Sequence, residues 1–338
     1  MANDKLYKLA AEFYQRKLWL DMEEEEIFGV VLPSGEIAYC SVIGRNGIRI
    51  ALAVYVGNES FETYRRANFP MEPVTDNEWI FNQVGKNCLL CSFETRENLS
   101  DDELTAEKFF CKRNKIFFRA KSSHPRFLKC EPYVCEDVID TQEDEEILTL
   151  ALSAAVEVGE KYPENLPRNI AFPDFPPIRK QFPILTPSED KFIWKMATLP
   201  PYRYGKYPVA KFKKADIAKI KKAEKSGTFD CELFVLSNPL SDVKDKFFRF
   251  PVFLLTVNGN KKPVEVPLTL NYASKPEELT ENFIFICLKV GVPEKICVRN
   301  DRTYSYFEKF CEEGGIELCE VEEMSEIDAW ELGRVGKV

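Results

Sequence analysis

The stretch 247–323 reads as one folding unit, strand–strand–helix–strand–helix–strand, and that order constrains the chain more than any other feature. Two apolar runs, Phe250–Val257 and Pro263–Leu270, flank Asn258-Gly259. That dipeptide tolerates the positive φ angles of a tight hairpin. Ser274-Lys275-Pro276-Glu277 has the spacing of a capping box with proline in the first turn. The helix it would open stops at Gly291, with Pro293 beyond. Ile296–Val298 is a short strand, Thr303–Glu313 a helix closed by Gly314-Gly315, and Ile316–Val321 the last strand. A final helix is predicted from Ser325 to Arg334.

The N-terminal half follows a comparable order. Asp4–Leu20 is an amphipathic helix. Strands are predicted at Ile27–Leu32, Glu36–Ile43 and Ile48–Val56, the last two joined by a tight turn at Asn46-Gly47. A helix at Glu59–Ala67, a strand at Asn87–Glu94 and a helix opened by the capping box Ser100-Asp101-Asp102-Glu103 follow. A longer helix spans Thr141–Gly159. Element order alone therefore predicts that the two halves share a topology.

A chain of 338 residues accommodates two domains. Pro163, Pro167, Pro173, Pro176, Pro177, Pro183 and Pro187 crowd one stretch, and proline at that density is excluded from helix and sheet interiors. The expected organisation is an N-terminal domain at 1–162, a proline-rich connector at 163–190 and a C-terminal domain at 191–338. The fold class is α/β (α+β), with a mixed sheet in each domain. The net charge of −9 repels phosphate backbones and anionic membranes, so general binding to either is disfavoured. No run of about 18 apolar residues spans a membrane. The opening stretch Met1–Met22 is rich in Lys, Glu and Asp and does not read as an export leader. The expected location is the cytoplasm, with all 11 cysteines reduced and buried as small hydrophobes.

The order in 247–323 resembles the ribonuclease-H-like fold of integrases and transposases. Gly291-Val292-Pro293-Glu294-Lys295-Ile296, followed by Asp301, is similar to the integrase stretch that leads to the second catalytic aspartate. The whole chain also resembles an uncharacterised bacterial two-domain family labelled only as domains of unknown function. Gly35-Glu36-Ile37-Ala38-Tyr39-Cys40-Ser41-Val42 and Cys91-Ser92-Phe93-Glu94 carry that likeness in the first half. Pro293–Arg299 and Gly315-Ile316-Glu317-Leu318 carry it in the second. The family pattern has aspartate where this chain has Asn258, and tryptophan and glycine at His124 and Cys135. The first resemblance implies a two-metal nuclease site; the second implies no activity.

Two-metal chemistry needs several carboxylates converging on the cations. The strand Phe250–Val257 has none, Asn258 is a neutral ligand, and Asp301 doubles as a candidate N-cap. Asn258, Arg299 and Asp301 are the candidate ligand or partner site; no catalytic residue, metal or cofactor is assigned. Cys88 and Cys91 have CxxC spacing, with Cys130 and Cys135 downstream, but Leu89-Leu90 between them suits a strand better than a zinc knuckle. His124, the single histidine, is expected in an exposed loop. No phosphate-binding glycine loop is present. One basic stretch stands out: Lys213, Lys214, Lys221 and Lys222 would line a helix whose Ile217 and Ile220 face inward. It is a candidate docking patch for an acidic protein surface or for nucleic acid. The expected function is that of a non-catalytic interaction or scaffold protein with a protein partner. The alternative is a metal-dependent nuclease or a nucleic-acid-binding protein with a degenerate site.

Overall fold

The computed structural model describes residues 4–70, 74–161, 181–189, 191–202, 207–241, 248–259 and 262–335. In chain order the elements are α1 (Asp4–Arg16), β1 (Ile27–Val31), β2 (Ile37–Ile43), β3 (Ile50–Val56), α2 (Gly57–Asn68) and α3 (Asp76–Val84). There follow β4 (Cys88–Glu94), α4 (Asp101–Asn114), β5 (His124–Cys130), β6 (Asp137–Val138), α5 (Gln142–Lys161), β7 (Gln181–Ser188) and β8 (Lys191–Thr198). The remainder is α6 (Lys214–Lys222), β9 (Thr228–Val235), β10 (Leu240–Ser241), β11 (Phe248–Arg249), β12 (Val252–Asn258) and β13 (Val264–Thr269). Last come α7 (Glu277–Val290), β14 (Lys295–Val298), α8 (Asp301–Gly314), β15 (Glu317–Glu320) and α9 (Ser325–Val335). The chain is α/β with mixed sheets and forms two compact units. Unit 1 comprises Met1–Val74, Gly85–Glu131 and Glu136–Tyr204; unit 2 comprises Thr75–Val84, Pro132–Cys135 and Gly205–Val338.

Unit 1 is built on an eight-stranded sheet in the order β6-β5-β4-β3-β2-β1-β7-β8. Its central strands are apolar on both sides, and alternate residues serve opposite cores. Leu52, Val54, Leu89, Cys91 and Phe93 join the core that includes Leu6, Ala10 and Phe13 of α1 and Leu148, Leu152 and Ala155 of α5. Ala53, Tyr55, Cys88 and Leu90 face the other way, toward Phe61 and Tyr64 of α2. Gly29 in β1 is required by close packing: a Cβ there would lie 2.8 Å from the Phe182 ring of β7.

Several expectations are corrected in unit 1. β4 and β5 pair antiparallel although α4 lies between them, so the connection through α4 is not the parallel crossover that a shared topology requires. The unit 1 order therefore differs from that of unit 2. The turn between β2 and β3 is longer than a two-residue hairpin, since the strands end at Ile43 and resume at Ile50. Of the proline-rich connector, residues 163–180 and 190 lie outside the described residues. The stretch 181–188 is strand β7, inside the sheet. It accommodates Pro183 and Pro187 because its parallel neighbour β1 reaches only Ile184 and Leu185. The start of the expected C-terminal domain, Lys191–Thr198, is strand β8 and pairs along the full length of β7.

Unit 2 has a five-stranded sheet in the order β13-β12-β9-β14-β15. β9 is central, antiparallel to β12 and parallel to β14. This corrects the reading of 247–323 as a self-contained unit, because its central strand lies upstream at Thr228–Val235. The small β10–β11 pair separates β9 from its neighbour β12 and hides the pairing in the sequence. Cys231, Leu233 and Val235 of β9 pack with Ile217 and Ile220 of α6, Phe283 of α7 and Phe307 and Phe310 of α8. Phe234 lies on the opposite face with Phe253, Leu255, Met324 and Ile327.

Arg302, 3% exposed, ties α3 and the turn at 132–135 into unit 2. Its guanidinium lies 4.3 Å from the Phe81 ring centre and 4.6 Å from that of Tyr207. It donates to Glu78 Oε1 at 3.1 Å, to Asn82 Oδ1 at 3.1 Å and to the Tyr133 hydroxyl at 3.3 Å. Burial works against this charge, but Glu78 more than compensates and the pKa is raised. Planar stacking together with a forked donor set suits arginine and not lysine.

Capping chemistry distinguishes two similar motifs. Ser100 Oγ accepts from the Glu103 amide at 3.3 Å and Glu103 Oε2 accepts from the Ser100 amide at 2.8 Å, which completes the expected capping box of α4. The second motif does not form: α7 has Pro276 at its N-cap with no side-chain acceptor, and Ser274 Oγ donates to the Asn271 carbonyl. Proline fixes the entry to the helix, and the Asn271 carbonyl also accepts from the Lys275 amide at 2.6 Å. Accordingly, Ser100→Ala should cost about 0.5–2 kcal/mol in urea denaturation. Ser274→Ala should remain within about 0.5 kcal/mol of the unmodified chain.

Candidate functional site

A cluster of charged side chains converges on the face of the unit 2 sheet opposite α6, α7 and α8. Alternation along β9 directs Cys231 and Leu233 into the main core and leaves Asp230 and Glu232 on the α9 side. Glu232 is fully buried. Directly after β14, Arg299 brings its Nε within 2.6 Å of Glu232 Oε2. Its other nitrogens reach two acids of α9, pairing with Asp328 and donating to Glu331 Oε2 at 3.3 Å. Asn300 Nδ2 donates to Glu232 Oε1 at 3.4 Å. Asp328 and Glu331 share a helix face by their three-residue spacing. Trp330 anchors the helix against Phe234 and Phe253, with ring centres 5.2 and 5.8 Å apart.

One guanidinium thus occupies the centre of three carboxylates. Burial pushes the Glu232 carboxyl up to about 7 from its ordinary 4.5; Arg299 opposes this rise, while Glu331 and Glu78 add to it. Burial also penalises the Arg299 charge, but Glu232 and Asp328 outweigh it and raise its pKa. The cluster can hold a proton or a cationic side chain. Among the described residues, no three His, Cys, Asp or Glu side chains are arranged to hold a metal ion.

Of the residues singled out in the sequence, only Arg299 belongs to this cluster. Asn258 ends β12 opposite Phe229, while Arg299 follows Val298 at the far end of β14. The register places Ile296 beside Phe229, so Asn258 lies three strand residues from the level of Arg299, or roughly 10 Å along the sheet. Asp301 is exposed on the first turn of α8. The N-cap is Asn300, whose Oδ1 accepts from the Thr303 amide at 2.9 Å, because its backbone is extended there while that of Asp301 is already helical. Sequence reasoning missed Glu232, Asp328 and Glu331. The alternation of Asp230 and Glu232 within an apolar strand and the spacing of the α9 acids were the available signals.

On α6, Ile217 and Ile220 are buried as expected. Lys213 pairs with Glu281 at 2.7 Å and Lys219 with Asp216 at 2.8 Å. Lys214, Lys221 and Lys222 are exposed, with no ion pair among the described residues. Lys225 serves the fold, since its ammonium donates to the carbonyls of Gly314 and Gly315 at 2.9 and 2.8 Å. That places a cation at the α8 C-terminus, where the helix dipole favours it.

Elsewhere, β4 carries Cys88 in one core of unit 1 and Cys91 in the other, so the CxxC spacing cannot place both thiols on one ion. His124 opens strand β5 instead of lying in an exposed loop, and its Nδ1 is 2.9 Å from Glu107 Oε2. Among the described residues, no helix is long and apolar enough to cross a membrane.

The chain belongs to the family described as Domain of unknown function (DUF7309), which matches residues 4–173, about half of its length. A second match, Domain of unknown function (DUF6930), covers residues 216–331. No curated protein and no solved structure matches the chain.

The raised Glu232 pKa sets a pH dependence. The folded state holds this proton more tightly than the unfolded chain does, so the associated stability is full below about 4.5 and is lost as pH rises through about 7. Denaturation across that range should show the unmodified chain losing stability relative to Glu232→Gln. Parallel curves for the two would contradict the assignment.

Proposed function

We propose that the chain is a cytoplasmic, non-catalytic interaction protein whose second unit is a ribonuclease-H-like domain with its acidic site closed by Arg299. The strand order supports the fold reading. A central strand has two antiparallel neighbours in succession on one side and two parallel strands on the other, the latter reached through helices. The free cysteines, nearly all buried, support a reducing compartment.

The observation that carries the functional reading is the position of Arg299. Two-metal catalysis requires carboxylates to share cations and leave coordination positions open for substrate oxygens. Here Glu232, Asp328 and Glu331 are directed at a guanidinium that offers donors and no coordination position. Asn258→Asp would add a carboxylate at the wrong level of the sheet. Asp301 is not among the acids that pair with Arg299.

The docking surface in this reading is the exposed face of α6 with Lys214, Lys221 and Lys222, and the partner is an acidic protein surface. Purified chain incubated with single-stranded and duplex DNA or RNA and Mg²⁺ or Mn²⁺ should show no cleavage, and Asn258→Asp should not restore any. Metal-dependent cleavage abolished by Glu232→Gln would overturn the proposal. The nucleic-acid alternative has a separate signature: salt-sensitive retention of an oligonucleotide, lost when the three lysines are changed to Glu.

A further inference from the structure

Beyond the ion-pair cluster, the same sheet face carries a second arrangement, a pair of cysteines at the edge of its apolar cluster. Cys297 of β14 and Cys319 of β15 are register partners on adjacent parallel strands. Their Sγ atoms are 3.0 Å apart. Neighbouring strands lie about 4.8 Å apart, within the ~4.4–6.8 Å Cα separation that a disulfide bridges. Bonding would require the sulfurs to approach by about 1 Å, within reach of side-chain rotation. Cys319 is half-buried on β15, the edge strand of the sheet, whereas Cys297 is 6% exposed.

Two charged groups flank the pair from opposite sides. Asp230 of β9 is the register partner of Cys297 on its other side, and burial raises the pKa of that carboxyl, which makes it a better proton acceptor. Lys295, paired with Glu317 at 2.8 Å, lies beside Cys319. Burial and the neighbouring Cys319 push the Cys297 thiol up to about 12. The pair therefore divides into an accessible thiol beside a cation and a protonated one beside a base. The other in-register pair, Cys88 and Cys130, is buried in the core around Tyr55.

We propose that Cys297 and Cys319 form a dithiol–disulfide site on the edge of unit 2, oxidised by a small-molecule disulfide of the glutathione class. Cys319 releases its proton to solvent and attacks one sulfur of the external disulfide, which forms a mixed disulfide and expels one thiolate. Cys297 then passes its proton to Asp230 and attacks the Cys319 sulfur, expelling the second thiolate. Two electrons leave the protein pair and reduce one external disulfide to two thiols.

The test exposes the full-length folded chain to oxidised glutathione and maps the products by peptide mass spectrometry. An internal Cys297–Cys319 disulfide should form, two hydrogens lighter than the dithiol, with no accumulating adduct. Cys297→Ser should retain a glutathione adduct on Cys319, and Cys319→Ser should leave Cys297 unmodified. Asp230→Asn should slow ring closure by about tenfold or more without changing the end product. Denaturation midpoints establish that each variant is folded, with Cys297→Ala as the substitute should the serine disturb the core. A persistent adduct on Cys319 in the unmodified chain would overturn the proposal. So would two thiols that remain unmodified throughout.

Discussion

The second unit depends on a buried charge that cannot be left alone. Glu232 lies in the central strand of its sheet with no exposure to solvent. A lone carboxylate there would carry a desolvation penalty of several kcal/mol, so the surrounding structure must supply a counter-charge or a proton. Arg299 supplies the charge from the end of the next strand. Asp328 and Glu331 then hold the remaining guanidinium nitrogens and locate α9 over the sheet. Phe234, Phe253 and Trp330 close the apolar part of the same contact. The last helix is thus placed by one polar and one aromatic contact.

A second arginine plays the equivalent part on the other face. Arg302 is three residues further along, at the start of α8, and turns into the main core. Its partners Glu78, Asn82 and Tyr133 come from two short stretches remote in sequence, and Phe81 and Tyr207 stack on it. Two arginines three residues apart, with opposite orientations, therefore organise both sides of unit 2. Lysine could not replace either, since each uses a planar fork of donors.

Local signals are legible in the sequence and long-range ones are not. The Ser100–Glu103 box, the inward isoleucines of α6 and the Gly314-Gly315 stop each depend on contacts within a few residues, and all three appear as expected. Ser274 has the same spacing as Ser100 but is displaced by proline at the N-cap, a competition that a spacing rule does not weigh. The central role of β9 is hidden because the β10–β11 pair intervenes before its antiparallel partner. For the same reason the sequence directs attention to Asn258, at the end of the second strand, when the buried acid lies on the first. The sequence suggests Arg299 but not its partners, because Glu232 and the α9 acids meet only after the sheet has formed.

The central claim is that Glu232 and Arg299 act as one closed structural pair. A double-mutant cycle with Glu232→Gln, Arg299→Met and both changes, followed by urea denaturation at about pH 7.5, above the Glu232 transition, measures this directly. Arg299→Met alone should cost about 3–5 kcal/mol, because it strands a buried acid. The double change should recover much of that loss, with a coupling on the order of 2–3 kcal/mol. Additivity within about 0.5 kcal/mol would show that the two residues do not depend on one another and would contradict the account.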